Sequence, residues 1–125
     1  MERVKRLKAL KKNIRICNVK CDMAVCCTDV KIYRGVSVLA NPFFMANESL
    51  RTVVCNKYDA WLNKKVADKD EVVLKELNRL LELFIMYGAL NLFCFCAPKR
   101  CHGLSVKKVV WKMYKQYLLD IAEEV

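Results

Sequence analysis

Residues 90–96, Leu-Asn-Leu-Phe-Cys-Phe-Cys, are apolar on both faces that a strand presents, and this constrains the fold more than any other stretch. With a side-chain period of two, Leu90, Leu92, Cys94 and Cys96 point one way, and Phe93 and Phe95 the other. A strand covered on both sides belongs in the middle of a sheet flanked by helices. Ala97-Pro98-Lys99-Arg100 follows as a short basic turn, and Cys101-His102-Gly103 then opens a long amphipathic pattern. The segment thus reads as buried strand, tight turn and helix N-terminus. Such a junction presents backbone N–H groups and partial positive charge, which suits anions and above all phosphates.

Hydrophobic spacing organises the rest of the chain. Residues 13–20 read as a strand through Ile14, Ile16 and Val19, and the alternating, β-branched residues 29–35 as a second strand or hairpin arm. Ala40-Asn41-Pro42-Phe43 forms a loop. Asn47 or Ser49 caps a helix with apolar positions Leu50, Val53, Val54, Tyr58, Trp61 and Leu62. A polar break at 63–69 precedes a second helix over 70–87, stopped by Gly88. The last helix runs over 104–123, with Val106, Val109, Val110, Met113, Tyr114, Tyr117, Leu118 and Ile121 on one face. Trp61 and Trp111 fall on these stripes as core residues. The expected architecture is a single small α/β domain, with a sheet of three to five strands and about three helices. It spans residues 13–125 behind a basic arm at 1–12.

Composition narrows the class. Apolar residues make up 55% of the 125, enough for a core without staples, and the three glycines and two prolines argue against a disordered chain. Eight cysteines fall short of a disulfide scaffold, and no secretory pattern opens the chain, so reduced thiols in a cytoplasm are expected. The apolar run at 83–98 is too short for a membrane span. The net charge of +10 is concentrated at the ends: eight Lys/Arg against Glu2 alone in residues 1–20, and six without an acid in residues 99–115. That polarity suits an anionic partner, either nucleic acid or an anionic surface. A solvated basic face with no specific role is the plainer reading.

Three readings compete at the turn. Cys94, Cys96, Cys101 and His102 have the donor chemistry of a zinc site, and Cys21, Cys26 and Cys27 are further thiol donors elsewhere. Their crowding into one strand–turn–helix is unlike the paired knuckles of structural zinc, so no metal is favoured. Alternatively, Cys101 is a nucleophile whose thiolate is favoured by the helix N-terminus, Lys99, Arg100 and His102, with His102 as general acid or base. The third reading is an anion site of backbone N–H groups at 101–103, assisted by Arg100 or Lys99. Asn41-Pro42-Phe43 is a loop constellation suited to stand beside it, since Asn offers both donor and acceptor.

In this order the pieces resemble an uncharacterised domain of phages, bacteria and some large viruses, family four-three-two-six of the domains of unknown function. Cys17-Asn18-Val19-Lys20 is similar to its V-N-V-R strand, and residues 29–34 to its D-V-Y-I-G-R segment. Ala40-Asn41-Pro42-Phe43 matches G-N-P-F. Arg51, Tyr58, Trp61 and Leu62 match R…Y-x-x-W-L, and residues 94–104 match C-W-C-x-P-x-x-C-H-G-D. The resemblance covers roughly residues 14–115 and implies one α/β domain in which Arg34, Asn41 and the turn Cys101-His102-Gly103 converge. It implies no established activity. Leu104 replaces the family's acid, Tyr33 a glycine and Ala40 another. The functional expectation is a phosphate-bearing ligand, a nucleotide or nucleic-acid backbone, held by Arg100 or Lys99, Arg34, Asn41 and Gly103, with Cys101 or His102 as reactive groups. The alternatives are a viral accessory or structural protein that binds nucleic acid or a protein through basic surfaces, in host cytoplasm or virion, and a zinc-stabilised module.

Overall fold

A computed structural model describes residues 11–20, 28–43, 45–95 and 99–124. The arm before residue 11, the cysteine-rich piece 21–27, Phe44 and residues 96–98 with Cys96 lie outside the described residues. Strands β1 (Ile14–Asn18), β2 (Asp29–Lys31) and β3 (Leu90–Cys94) form one sheet in the order β1-β3-β2. Both pairings are parallel, Ile14 lying opposite Leu90 and Val30 opposite Leu92. The strand singled out by its two apolar faces is therefore central, and all five of its residues are buried. It bonds beyond both neighbours: Ile32 N–H donates to the Phe93 carbonyl and Val19 N–H to that of Cys94.

The parallel pairing rules out a hairpin arm at residues 29–35. β2 stops at Lys31, and the chain turns through Tyr33–Val36, where Val36 N–H donates to the Tyr33 carbonyl. Phe95 is likewise not a strand residue: β3 ends at Cys94, and Phe95 is 53% exposed with its ring edge against Tyr33.

Three helices among the described residues complete a small α/β domain. A single 3-10 turn, Glu48–Leu50, is capped by the Asn47 side chain and leads into α1 (Arg51–Ala67). Helix α1 buries Val54, Cys55, Tyr58 and Leu62, while Leu50 and Val53 are exposed at the border of the apolar stripe. Its lysine-rich end continues to Ala67, so the break before the next helix is only Asp68–Asp70. The Asp70 carboxylate takes the N–H of Val73 at 3.1 Å and starts α2 (Glu71–Tyr87). Gly88, left-handed with φ 68°, ends that helix by donating its N–H to the Phe84 carbonyl. Helix α3 (Gly103–Glu124) packs on both other helices and on β1 and β3.

One sheet face, carrying Ile14, Val30, Leu90, Leu92 and Cys94, belongs to a single core with Tyr58, Leu62, Leu77, Phe84, Val106 and Trp111. On the other face Cys17, Asn91 and Phe93 are buried. The Asn91 amide bonds Asp29 and Thr28, which ties β2 to β3. Among the described residues no helix is long and apolar enough to cross a membrane.

Helix α3 begins hard against the sheet. A β-carbon at Gly103 would stand 3.2 Å from Ile16 Cγ2, 3.3 Å from Cys101 Sγ and 3.4 Å from Ile32 Cδ1. Glycine lets the helix start here. A branched side chain must push the helix off β1, which is overpacking at a cost of about 1–3 kcal/mol. Urea unfolding of Gly103→Val is expected to show that loss; a midpoint equal to wild type would contradict the close approach.

Candidate functional site

Where β3 ends, α3 begins and the 33–43 loop returns, the surface folds into a pocket of about 180 Å³. It is lined by Tyr33, Arg34, Asn41 and Phe43 from the loop, Met45, Arg51, Val54 and Cys55 around the start of α1, and Phe95, Cys101 and His102. Arg34, Asn41 and His102 thus line one cavity with Cys101, though 68 positions separate Arg34 from His102 in the chain. No carboxylate is among the described lining residues.

Local bonding explains each placement. Tyr58, fully buried on α1, donates its hydroxyl to the Leu39 carbonyl at 2.6 Å and pins the loop to the core. Asn41 closes a tight turn by accepting the Phe43 N–H on Oδ1 at 2.9 Å. Its carbonyl accepts from Arg34 Nη2 at 3.3 Å, so the loop aims the guanidinium. His102 is buried, its ring edge-on to Tyr58 at 5.0 Å, with Nε2 2.7 Å from the Ile32 carbonyl. A carbonyl only accepts, so Nε2 carries the proton and Nδ1 is the acceptor of the neutral ring. Burial pushes the His102 pKa down, partly offset by that carbonyl. Burial also raises the Tyr58 hydroxyl, with the Cys101 sulfur adding to it.

The helix N-terminus differs from a simple anion cradle. Gly103 N–H donates to Cys101 Sγ at 3.4 Å, Leu104 N–H to the Cys101 carbonyl, and Ser105 and Val106 N–H to that of His102. These first-turn donors are engaged within the turn, and Gly103 serves close packing. Lys99 and Arg100 lie beside the pocket without lining it. Arg100 reaches Asn56 at 2.8 Å, and Lys99 lies 3.5 Å from Glu48. The Arg100 carbonyl accepts from Arg51 Nη1 at 2.8 Å and from Cys55 Sγ at 3.7 Å.

Arg51 is the site residue that pattern reading missed. It forks onto Glu48 through Nε and Nη2, at 2.9 and 2.7 Å, while holding the Arg100 carbonyl. The Arg51 guanidinium, with help from Lys99, brings the exposed Glu48 carboxyl down to about 2. A signal existed: a cation in the first turn of a helix opposes the macrodipole, so an arginine there has another task. For zinc, the described residues hold no group of three or more His, Cys, Asp or Glu side chains placed to share an ion. Cys94 and Cys101 meet at 3.3 Å between sulfurs, while His102 spends Nε2 on Ile32.

Residues 11–118 match the family described as Domain of unknown function (DUF4326). The chain belongs to this family. No curated protein and no solved structure matches it. The DUF4326 match takes in every lining residue of the pocket, from Tyr33 to His102.

The buried imidazole makes stability depend on pH. The unfolded chain protonates His102 near the ordinary value of 6.5, while the folded chain resists until lower pH. The unfolded state therefore binds more protons in that window, and stability falls as pH drops below about 6.5, by up to about 1.4 kcal/mol per pH unit. Above it the contribution is complete. The lowered carboxyls of Glu48 and Asp70 act only below their ordinary values of 4.5 and 3.8. Urea unfolding between pH 7 and 5 should show the slope in wild type and a flat line in His102→Gln. Parallel slopes would assign the effect elsewhere.

Proposed function

We propose that the pocket binds the phosphate group of a small phosphorylated ligand, with Arg34 as its principal cation. The observation that carries this is the convergence of Arg34, Asn41 and His102 on one cavity with no carboxylate among its described lining residues. The Arg34 guanidinium has one hydrogen bond among the described residues, to the Asn41 carbonyl, which orients the fork and leaves its other N–H groups for oxygen ligands. Asn41 accepts through Oδ1, so its amide N–H groups are the donors turned to a ligand. Arg51 adds field from the rim while bound to Glu48.

Size limits what enters. Pockets for drug-sized molecules run from about 300 Å³ upward, and this one is smaller. It takes a phosphate, or a phosphate with part of a sugar, and leaves the remainder of a nucleotide outside near Tyr33 and Phe95. Those rings, edge to face at 4.8 Å, offer an apolar and π-bearing lip. His102, neutral with Nδ1 as acceptor, takes a hydrogen bond rather than adding charge.

A second reading, nucleic-acid binding on a basic face, draws on Lys107. Burial and the neighbouring charge of Lys11 both lower its pKa, so the end of the arm and the start of α3 share one electropositive patch. The two readings separate by variant. Calorimetric titration with inorganic phosphate and nucleoside monophosphates should show binding that Arg34→Ala weakens about tenfold to a hundredfold, the worth of a charged hydrogen bond. Arg100→Ala should leave it unchanged. Binding only to oligonucleotides, indifferent to Arg34→Ala and lost steeply with salt, would replace the pocket by the basic face.

A further inference from the structure

The phosphate reading makes no use of a close thiol contact among the described residues. Cys94 closes β3 and Cys101 precedes α3, and their sulfurs lie 3.3 Å apart in the core. We propose that Cys94 and Cys101 form a peroxide-oxidisable thiol pair, in which Cys101 takes up the oxygen and Cys94 resolves it to a disulfide. The inference rests on their geometry and is independent of the ligand that fills the pocket.

The two sulfurs are not equivalent, and the difference assigns the roles. Cys101 is 4% exposed yet is a lining residue of the pocket, so a small molecule in the cavity stands beside it. Cys94 is 1% exposed and is not among the described lining residues of the pocket, which gives Cys101 the first contact with a molecule there. The Gly103 N–H, at the start of a 22-residue helix, donates to Cys101 Sγ and supports negative charge on that atom. Cys55 also lines the pocket, but its sulfur is turned onto the Arg100 carbonyl.

Access selects the oxidant. A tripeptide disulfide is larger than the cavity and cannot bring its sulfur to a buried thiol, whereas hydrogen peroxide fits. The Cys101 thiolate attacks one peroxide oxygen; the S–O bond forms, the O–O bond breaks, and the departing hydroxide takes up the thiol's proton as water. The Cys94 sulfur then attacks Cys101 Sγ; the S–S bond forms, the S–O bond breaks, and the second hydroxide leaves with the Cys94 proton as water. Two thiols are oxidised by two electrons in all, and one peroxide is reduced to two waters. The sulfurs need to close by about 1.2 Å to reach the ordinary disulfide length. The product staples the end of the central strand to the helix start, at the wall of the pocket.

The test uses the full chain under native conditions. Protein is treated with hydrogen peroxide, remaining thiols are blocked after denaturation, and non-reduced peptides are mapped by mass spectrometry. The expected product is one linked peptide joining Cys94 to Cys101, two hydrogens lighter than the thiol pair and restored by dithiothreitol. In Cys94→Ser, Cys101 should instead accumulate as a sulfenic acid that dimedone captures. A link from Cys101 to Cys55 or Cys96, sulfinic acid at Cys101 with Cys94 still blockable, or oxidation of other cysteines while this pair stays reduced would each overturn the proposal. The wild-type map decides by itself if the serine variant does not fold.

Discussion

The junction between sheet and helix rests on how closely α3 approaches the strands at its first turn. Gly103 lets the helix start where a β-carbon would crowd Ile16 on β1 and Ile32 just past β2. The next constraint is the His102 N–H donated to the Ile32 carbonyl at 2.7 Å. Because Ile32 is itself bonded to Phe93, helix start, β2 and β3 are linked in one chain of contacts. An unsatisfied buried donor or acceptor here would cost about 1–3 kcal/mol, so the bond specifies a position as well as adding stability. The pocket is the space left in front of this fixed corner.

The loop side is held by equally local means. Tyr58 anchors Leu39 from the core, Asn41 shapes its own turn, and its carbonyl directs Arg34. Arg51 clamps the turn before α3 through the Arg100 carbonyl while neutralised by Glu48. The cations flanking the turn in sequence, Lys99 and Arg100, thus contact Glu48 and Asn56 at the start of α1, and the arginines lining the cavity, Arg34 and Arg51, come from elsewhere in the chain. The cations that line the pocket are brought there by the fold rather than by chain proximity.

This explains what could be read from the residues alone. The central place of β3 was legible because apolar side chains on both faces have few other solutions, and the apolar stripe with Gly88 as its stop marked α2. The helical stripe overreached at Leu50 and Val53, since periodicity does not show where a buried face ends. It also clipped α1, because lysines at 64 and 65 look like a break although they suit a helix C-terminus. Phe95 was assigned to the strand by its apolarity, yet pairing stops at Cys94 and the ring serves the pocket lip. The convergence of Arg34 and Asn41 with the turn followed from family resemblance, because no local rule links positions so far apart. Arg51 escaped because its partners, Glu48 and the Arg100 carbonyl, span a helix start and a remote loop.

The central claim is that this corner presents Arg34 and Asn41 to an anion, and it is open to direct observation in solution. Nuclear magnetic resonance of the labelled protein, titrated with inorganic phosphate at constant ionic strength and pH 7, reports each group separately. The account predicts saturable shifts concentrated on the Arg34 side-chain N–H groups, the Asn41 amide and the His102 ring, with the lysines of α3 unmoved. Shifts spread over Lys107, Lys108, Lys112 and Lys115 with the pocket signals unchanged would contradict it.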